Sequence, residues 1–128
     1  MGQEYLIDTN VISGYFSELF SENSLDFLDI VTNLIPNISV ITEIEILSWK
    51  TSTDVEDVVR DFVSDGIVFG ITPEIVEISV NIRRRKNIKT PDAIIAATAV
   101  ANNFTLITSN EKDFRNIKGL KIINPYKL

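Results

Sequence analysis

The chain contains neither cysteine nor histidine among its 128 residues. This absence excludes cysteine proteases, serine–histidine–aspartate hydrolases, thiol redox chemistry and zinc sites built from thiolate or imidazole. Disulfides cannot form either, so the sequence carries no information about a redox compartment. The groups left for acid–base work or metal binding are carboxylates, lysine, tyrosine and hydroxyls.

Long hydrophobic runs are also missing. No segment approaches the roughly 20 apolar residues of a membrane span, and residues 1–8 lack the basic and apolar regions of a secretory signal. We therefore expect a cytoplasmic protein without a membrane partner. Hydrophobic residues make up 45% of the chain, which is enough for a buried core, and the length predicts one domain over 1–128.

Positive charge is scarce overall, because the net charge is −6. This balance argues against a large basic surface for nucleic acid, so any phosphate binding should be local and helped by metal cations. The basic residues are unevenly spread, and five of them fall between positions 83 and 89.

Strand-like and helix-like segments alternate along the chain. Short apolar runs predict strands at 5–7, 38–41, 67–69, 105–108 and 120–123. Helical spacing and start signals at Thr42, Thr72 and Thr90 predict helices at 11–20, 24–35, 42–49, 53–64, 73–82 and 91–101. The alternation predicts an α/β fold, a three-layer sandwich with a central, mainly parallel five-stranded sheet.

Four acidic residues fall where parallel strands end or where the following helices begin: Asp8, Glu45, Asp92 and Asp113. Ligands bind at the carboxyl edge of such a sheet, near a switch in strand order. Converging carboxylates repel one another unless cations are present, and Mg²⁺ or Mn²⁺ prefers oxygen ligands. A divalent metal there can lower the pKa of a coordinated water and support in-line displacement at phosphate.

Each of these carboxylates also has a purely structural explanation. Asp8 fits the N-cap of a helix, Glu45 fits a solvated helix position beside Glu43, and Asp92 complements a helix dipole. Asp113 by itself is weak evidence for a functional site, because its loop can serve only to pack the phenylalanine that follows it. The set indicates a metal site more strongly than any member does.

Four blocks of sequence, spanning nearly the whole chain, carry a family resemblance: LIDTNVIS (6–13), ISVITEIEILSW (38–49), KTPDAIIAATAVANN (89–103) and TLITSNEKDFRNIKGLKIINP (105–125). On these blocks the chain resembles the PIN-domain family, in particular the VapC-like toxins of type II toxin–antitoxin systems. The resemblance implies a five-stranded parallel sheet and Mg²⁺ or Mn²⁺ at the acidic cluster. It also implies endonucleolytic cleavage of RNA, an antitoxin protein partner and a homodimer.

The site residues follow from the motifs. Asp8 in Asp-Thr-Asn matches the first acid of the family, Glu45 matches the second in preference to Glu43, and Asp92 in Pro-Asp-Ala matches the third. All four acids, Asp113 included, are expected to serve as both metal ligands and catalytic residues.

The last block departs from the family pattern, because many relatives have Asp where this chain has Asn110. Asp113 then becomes the fourth acid, and full occupation of a second metal position is left open. Side chains expected to orient ligands or waters through hydrogen bonds are Asn10, Thr42, Thr108, Ser109 and Asn110.

Two further groups of residues have both a functional and a structural interpretation. The basic segment 83–89 fits a solvated helix end, or RNA phosphate contacts through Arg84, Arg85 and Lys89 beside the third acid. Apolar side chains predicted to be exposed, and so to bind a second copy or an antitoxin, are Phe16, Leu19, Phe20 and Trp49. The alternative is that they complete the core of the monomer.

Other functions remain open at this stage. A haloacid-dehalogenase-like phosphatase would need a second Asp at the position of Asn10, and a response-regulator receiver would need an Asp where Phe69-Gly70 ends the third strand. A non-catalytic PIN-like domain that binds RNA or protein without cutting is the third alternative. The sequence does not specify which RNA would be cut.

Overall fold

The structure is a computed structural model that describes residues 4–17 and 21–128. The strands in this part of the chain are β1 (Tyr5–Ile7), β2 (Asn37–Ser39), β3 (Ile67–Phe69), β4 (Thr105–Ile107) and β5 (Lys121–Ile123). The helices are α1 (Thr9–Phe16), α2 (Glu22–Asn33), α3 (Val40–Leu47), α4 (Thr53–Asp65), α5 (Pro73–Arg85), α6 (Thr90–Ala101) and α7 (Glu111–Phe114), followed by a short 3₁₀ turn at Pro125–Lys127.

The five strands form one sheet in the order β3-β2-β1-β4-β5, and every neighbouring pair is parallel. The chain moves outward from β1 through β2 to β3 and then crosses back to β4 on the other side of β1. The strand order therefore reverses between β1 and β4, where parallel sheets usually open a ligand-binding crevice. The predicted parallel five-stranded sheet is confirmed.

The two central strands are apolar on both faces. Leu6 and Leu106 pack into a core cluster with α5 and α6, whereas Ile7 and Ile107 pack into a second cluster with α1, α2 and α4. Successive residues of a strand point to opposite faces, so these short strands need helices on both sides. This arrangement confirms the predicted three-layer sandwich.

Helix α6 is buried on more than one side, as its alanine-rich sequence predicts. It packs along α5 and also meets α3, α7 and the strands β2 and β4. Six of its residues are buried: Ala93, Ile95, Ala96, Ala97, Thr98 and Ala99. The small alanine side chains let neighbouring elements approach closely, which holds the first turn of α6 at the carboxyl edge of the sheet.

The predicted strand at 38–41 is wrong in its second half. β2 ends at Ser39, whose hydroxyl accepts a hydrogen bond from the backbone N–H of Ile41 and so caps α3. Val40 and Ile41 favour strands by propensity, but this cap turns them into the first turn of the helix. Thr42 is therefore not an N-cap; it lies inside α3 and is fully buried.

Other boundaries also differ from the prediction. α1 already begins at Thr9 because Asp8 caps it, and the predicted extension of this helix to 20 reaches residues 18–20, which lie outside the described part of the chain. Thr90 is the first residue of α6 and Lys89 takes the cap position without a side-chain hydrogen bond. The predicted loop before Asp113 is the short helix α7, capped by Asn110.

Within residues 4–17 and 21–128, no helix combines the length and the apolar composition needed to cross a bilayer.

Candidate active site

Asp8 lies at the reversal of strand order, directly after β1, with only 4% of its surface exposed. Its Oδ1 accepts a hydrogen bond from the backbone N–H of Thr9 at 2.8 Å, so it is indeed a helix cap. Its Oδ2 accepts another from the Thr108 hydroxyl at 2.8 Å. Burial raises the pKa of the Asp8 carboxyl to about 6, and the charges of Asp92 and Glu45 push in the same direction. The Asp8 side chain therefore caps α1 and also lies within electrostatic range of two other acids.

Thr108 connects the ends of the two central strands. It follows β4 and is fully buried, and its hydroxyl donates to Asp8 while accepting from the backbone N–H of Asn110 at 3.0 Å. One hydroxyl thus fixes the first acid and also the turn that leads into α7. Its supporting role was predicted from the motif, and the structure gives it these two partners.

Glu45 faces α1 from helix α3. The Thr9 hydroxyl lies 2.6 Å from Glu45 Oε1 and 3.1 Å from the Thr42 hydroxyl. Because a carboxylate can only accept, the Thr9 hydroxyl donates to Glu45, and the Thr42 hydroxyl is its second polar neighbour. Thr42 and Glu45 lie three residues apart and share a helix face, whereas Glu43 points elsewhere on the helix.

Thr9 was missed from the sequence, although it stands inside the Asp-Thr-Asn motif. A hydroxyl residue next to the capping acid, in the first turn of a helix, is the feature that could have identified it. Its contact with Glu45 joins residues 36 positions apart, so the sequence alone gave no reason to pair them.

Asp92 is half-buried in the first turn of α6. Burial raises the pKa of its carboxyl, and the charges of Asp113 and Glu45 raise it further, while Lys89 lowers it. The Asp92 carboxyl therefore interacts electrostatically with two acids on other elements of the fold. Together with Asp8, these residues form one electrostatically coupled set, called here the acidic cluster: Asp8, Glu45, Asp92 and Asp113.

Asn110 holds the fourth acid in place. Its Nδ2 donates to Asp113 Oδ2 at 2.8 Å, and its Oδ1 accepts from the backbone N–H of Asp113 at 3.4 Å. Nearby, the side-chain oxygen of Asn10 accepts from the backbone N–H of Ser109 at 3.4 Å. The Asn10 contact ties α1 to the segment after β4, and the Asn110 contacts bond this residue directly to Asp113.

The acidic cluster fits a hard divalent cation in its chemistry, since every donor is a carboxylate oxygen and mutual repulsion is what a cation would relieve. Its geometry is looser: among residues 4–17 and 21–128, no three Asp or Glu side chains stand close enough to hold one metal ion together. The carboxylates must draw closer to share an ion.

The basic segment divides by function. Arg83 Nε donates to the carbonyl of Ile88 at 3.1 Å, and Lys86 Nζ donates to the carbonyls of Lys112 and Arg115 at 3.3 and 3.1 Å. These two side chains fasten the end of α5 to its own loop and to α7. Arg84, Arg85 and Lys89 are exposed, as is Arg83 despite its hydrogen bond, and the charge of Lys89 lowers the pKa of the Asp92 carboxyl.

The apolar residues predicted to be exposed are more buried than the sequence suggested, as far as the structure describes them. Phe16 is half-buried and packs edge-on against Phe62, with ring centroids 5.7 Å apart. Trp49 is also half-buried against the core cluster that contains Ile7. Leu19 and Phe20 lie outside the described residues. Phe16 and Trp49 thus complete one side of the core while their outer edges line a groove of about 390 Å³.

Replacing Thr108 by Val should destabilise the protein and loosen the site. The substitution keeps the shape but removes the donor to Asp8 and the acceptor for the N–H of Asn110, a loss of about 1–3 kcal/mol in free energy of unfolding. Thr98→Val is the matched control, because that buried hydroxyl only donates to a carbonyl of its own helix. Equal losses in chemical denaturation would show that Thr108 is only a core residue.

Comparison with known proteins agrees with this fold. The family model described as PIN domain matches residues 5–120. The curated relative Ribonuclease VapC1 of Rickettsia felis is 44% identical over 41 residues, which are 32% of this chain and 31% of that protein. The matched segment therefore spans about a third of the curated relative.

Solved structures resemble the chain over nearly its full length. A toxin–antitoxin complex from Klebsiella pneumoniae superposes with a TM-score of 0.77 at 31% identity, covering 98% of this chain and 100% of that one. FitAcB from Neisseria gonorrhoeae superposes with a TM-score of 0.80 at 23% identity, covering 97% and 99%. With the family model matched over most of the sequence, the chain belongs to the PIN domain family.

Proposed function

We propose that this chain is a divalent-metal-dependent endoribonuclease of one domain, the toxin of a toxin–antitoxin pair acting in the cytoplasm. The observation that carries the proposal is the acidic cluster, whose charges are coupled at the carboxyl edge of a PIN-type sheet. The relatives support it, since one is named a ribonuclease and another is a toxin–antitoxin complex.

The acidic cluster would hold Mg²⁺ or Mn²⁺, which when bound activates a water for attack on the phosphodiester and offsets the charge that develops there. Asp8 contributes a carboxylate that two hydrogen bonds keep in one orientation. Thr9 orients Glu45, and Asn110 orients Asp113. These hydrogen bonds orient each carboxylate locally, although the elements that carry the carboxylates would still have to approach one another to share one ion.

The test is incubation of the purified protein with single-stranded RNA in Mg²⁺ or Mn²⁺, with a matched reaction in EDTA. We expect internal cleavage only with the metal, and sequencing of the RNA ends will identify the preferred site. Undiminished cleavage in EDTA would contradict metal dependence. RNA left intact with both metals would favour the non-catalytic alternative.

The groove beside Phe16 and Trp49 is the surface we assign to the antitoxin. Val55 on α4 lines it and is 38% exposed, and the first turn of α4 carries Asp54 and Glu56. The groove combines apolar side chains with hydroxyl groups and one cation, Lys50, so it fits an amphipathic segment that presents both apolar and polar groups.

A second copy of the chain is assigned to the outer face of α5. Val76 and Val80 lie one turn apart there and are 50% and 47% exposed. The two assignments predict opposite outcomes in light scattering: Val55→Glu should lose the antitoxin and keep the homodimer, and Val76→Glu should do the reverse. Loss of both complexes in either variant would contradict separate surfaces.

A further inference from the structure

A second cavity lies between the last turns of α5 and the loop after α7. It encloses about 220 Å³. Its apolar walls are Ile78, Ile82 and Ile117, and its basic rim is Arg85, Lys86 and Lys118. Drug-sized ligands need about 300–1,000 Å³, so this space suits one flat ring system rather than an extended molecule.

The charge of this cavity is opposite to that of the chain. No acidic residue is among the described residues that line it, although the protein as a whole carries a net charge of −6. Three cations around one small cavity create a local positive potential in an acidic molecule. Such a potential selects an anionic ligand, and phosphate is the anion that a nuclease substrate presents at every residue.

Two amides add polarity to the otherwise apolar interior. Asn81 lines the cavity from α5 and Asn116 lines it from the loop, where a φ of 65° turns the chain back toward the sheet. An amide both donates and accepts hydrogen bonds, which is the pattern needed to read the edge of a nucleobase. Apolar walls, two amides and a cationic rim thus match the faces of a nucleobase, its edge and the phosphates that flank it.

The cavity is attached to the acidic cluster through α7. Lys86 donates to two carbonyls at the end of this helix, and Asp113 lies within it. A helix of four residues is only about 6 Å long. The cavity, through Lys86, therefore lies close to the turn of helix that carries Asp113.

We propose that this cavity binds one unpaired nucleobase of the RNA substrate, next to the bond that is cut. The proposal rests on the proposed function and adds the position at which sequence preference arises. The isoleucine walls contact the faces of the base, Asn81 and Asn116 read its edge, and Arg85 and Lys118 contact the flanking phosphates. A base must be splayed out of a helix to enter, so the substrate is single-stranded.

The test uses neighbouring arginines on the last turn of α5. Arg85 lines the cavity and Arg84 does not, yet both are exposed and both complement the same helix end. Binding of a fluorescent single-stranded RNA is measured in EDTA, so that no cleavage occurs, over a salt titration. Arg85→Ala should weaken binding several-fold and reduce the salt slope by about one, and Arg84→Ala, at the other candidate phosphate contact, should have a distinctly smaller effect on both. Equal effects would overturn the cavity and leave only general electrostatic attraction.

A second measurement reads base preference directly. Asn81→Leu removes one amide from an exposed helix position, so it should leave folding intact. In Mg²⁺, cleavage-end sequencing should show a relaxed preference at one nucleotide position, and an unchanged preference would overturn the proposal. The two assays distinguish failure of the proposed function from failure of the proposed cavity. RNA binding that depends on Arg85, without any cleavage, would contradict the nuclease. Cleavage together with equal effects of the Arg84 and Arg85 substitutions on binding would contradict the cavity.

Discussion

Asp8→Asn should slow RNA cleavage at least about 100-fold, since changing even the partners of metal ligands commonly costs 10- to 100-fold. The acidic cluster loses its most buried carboxylate, the one that two hydrogen bonds hold at the reversal of strand order. The measurement is the initial rate of cleavage of a defined single-stranded RNA in Mg²⁺ or Mn²⁺. Asp92→Asn is expected to behave in the same way.

The same substitution should stabilise the metal-free protein at neutral and higher pH. Burial raises the pKa of Asp8 from 3.8 to about 6, so the folded chain holds this proton more tightly than the unfolded chain does. The resulting stability is fully present below the unfolded pKa and is lost as pH rises through the folded one. The loss is on the order of 3 kcal/mol, and an asparagine that cannot ionise avoids it.

Thermal unfolding in EDTA at about pH 5 and about pH 8 tests this prediction. The Tm difference between Asp8→Asn and the wild type should be more positive at the higher pH. Asp26→Asn, at an exposed position on α2, is the matched control and should show no such trend. A variant that loses both activity and stability at every pH would indicate that Asp8 serves the fold alone.

Glu45→Gln should reduce cleavage more than about tenfold, within the 10- to 100-fold range for residues around a metal, whereas Glu43→Gln should leave it nearly unchanged. Glutamine keeps an oxygen that can accept from the Thr9 hydroxyl, so the local packing survives while the charge is lost. Glu43 lies on the same helix two positions earlier and is the natural control. Titration of Mn²⁺ binding should show the same ranking as the rates.

A greater sensitivity at Glu43 would mean that the face of α3 is assigned wrongly. The structure supports Glu45, because the charge of Glu45 acts on both Asp8 and Asp92. Equal and small effects at both positions would leave the acidic cluster with only three working carboxylates.

Much of the fold could be predicted because its rules are local or topological. Alternating apolar strands and helices fix a parallel sheet, and a parallel sheet gathers Asp8 and Asp92 at one edge. The end of β2 could not be predicted, because Val40 and Ile41 favour a strand by themselves and one hydroxyl, that of Ser39, decides otherwise. α7 has only four residues, which is too short to show a helical period.

The distances between the site residues could not be predicted from the sequence either. A motif indicates which acids meet, whereas their separation depends on side-chain contacts between distant segments. Thr9 and Glu45 meet only because α1 packs on α3. For the same reason, the looseness of the acidic cluster toward a single ion could not have been foreseen from spacing.

The hydrogen bond from Thr108 to Asp8 joins residues 100 positions apart. During synthesis, the segment that carries Asp8 leaves the ribosome first, so its carboxylate lacks this partner until Thr108 has been made. Asp113 is made after the other three acids, so no nascent chain that stops before it contains the whole acidic cluster. Under the proposed function, cleavage of RNA therefore requires synthesis at least as far as Asp113.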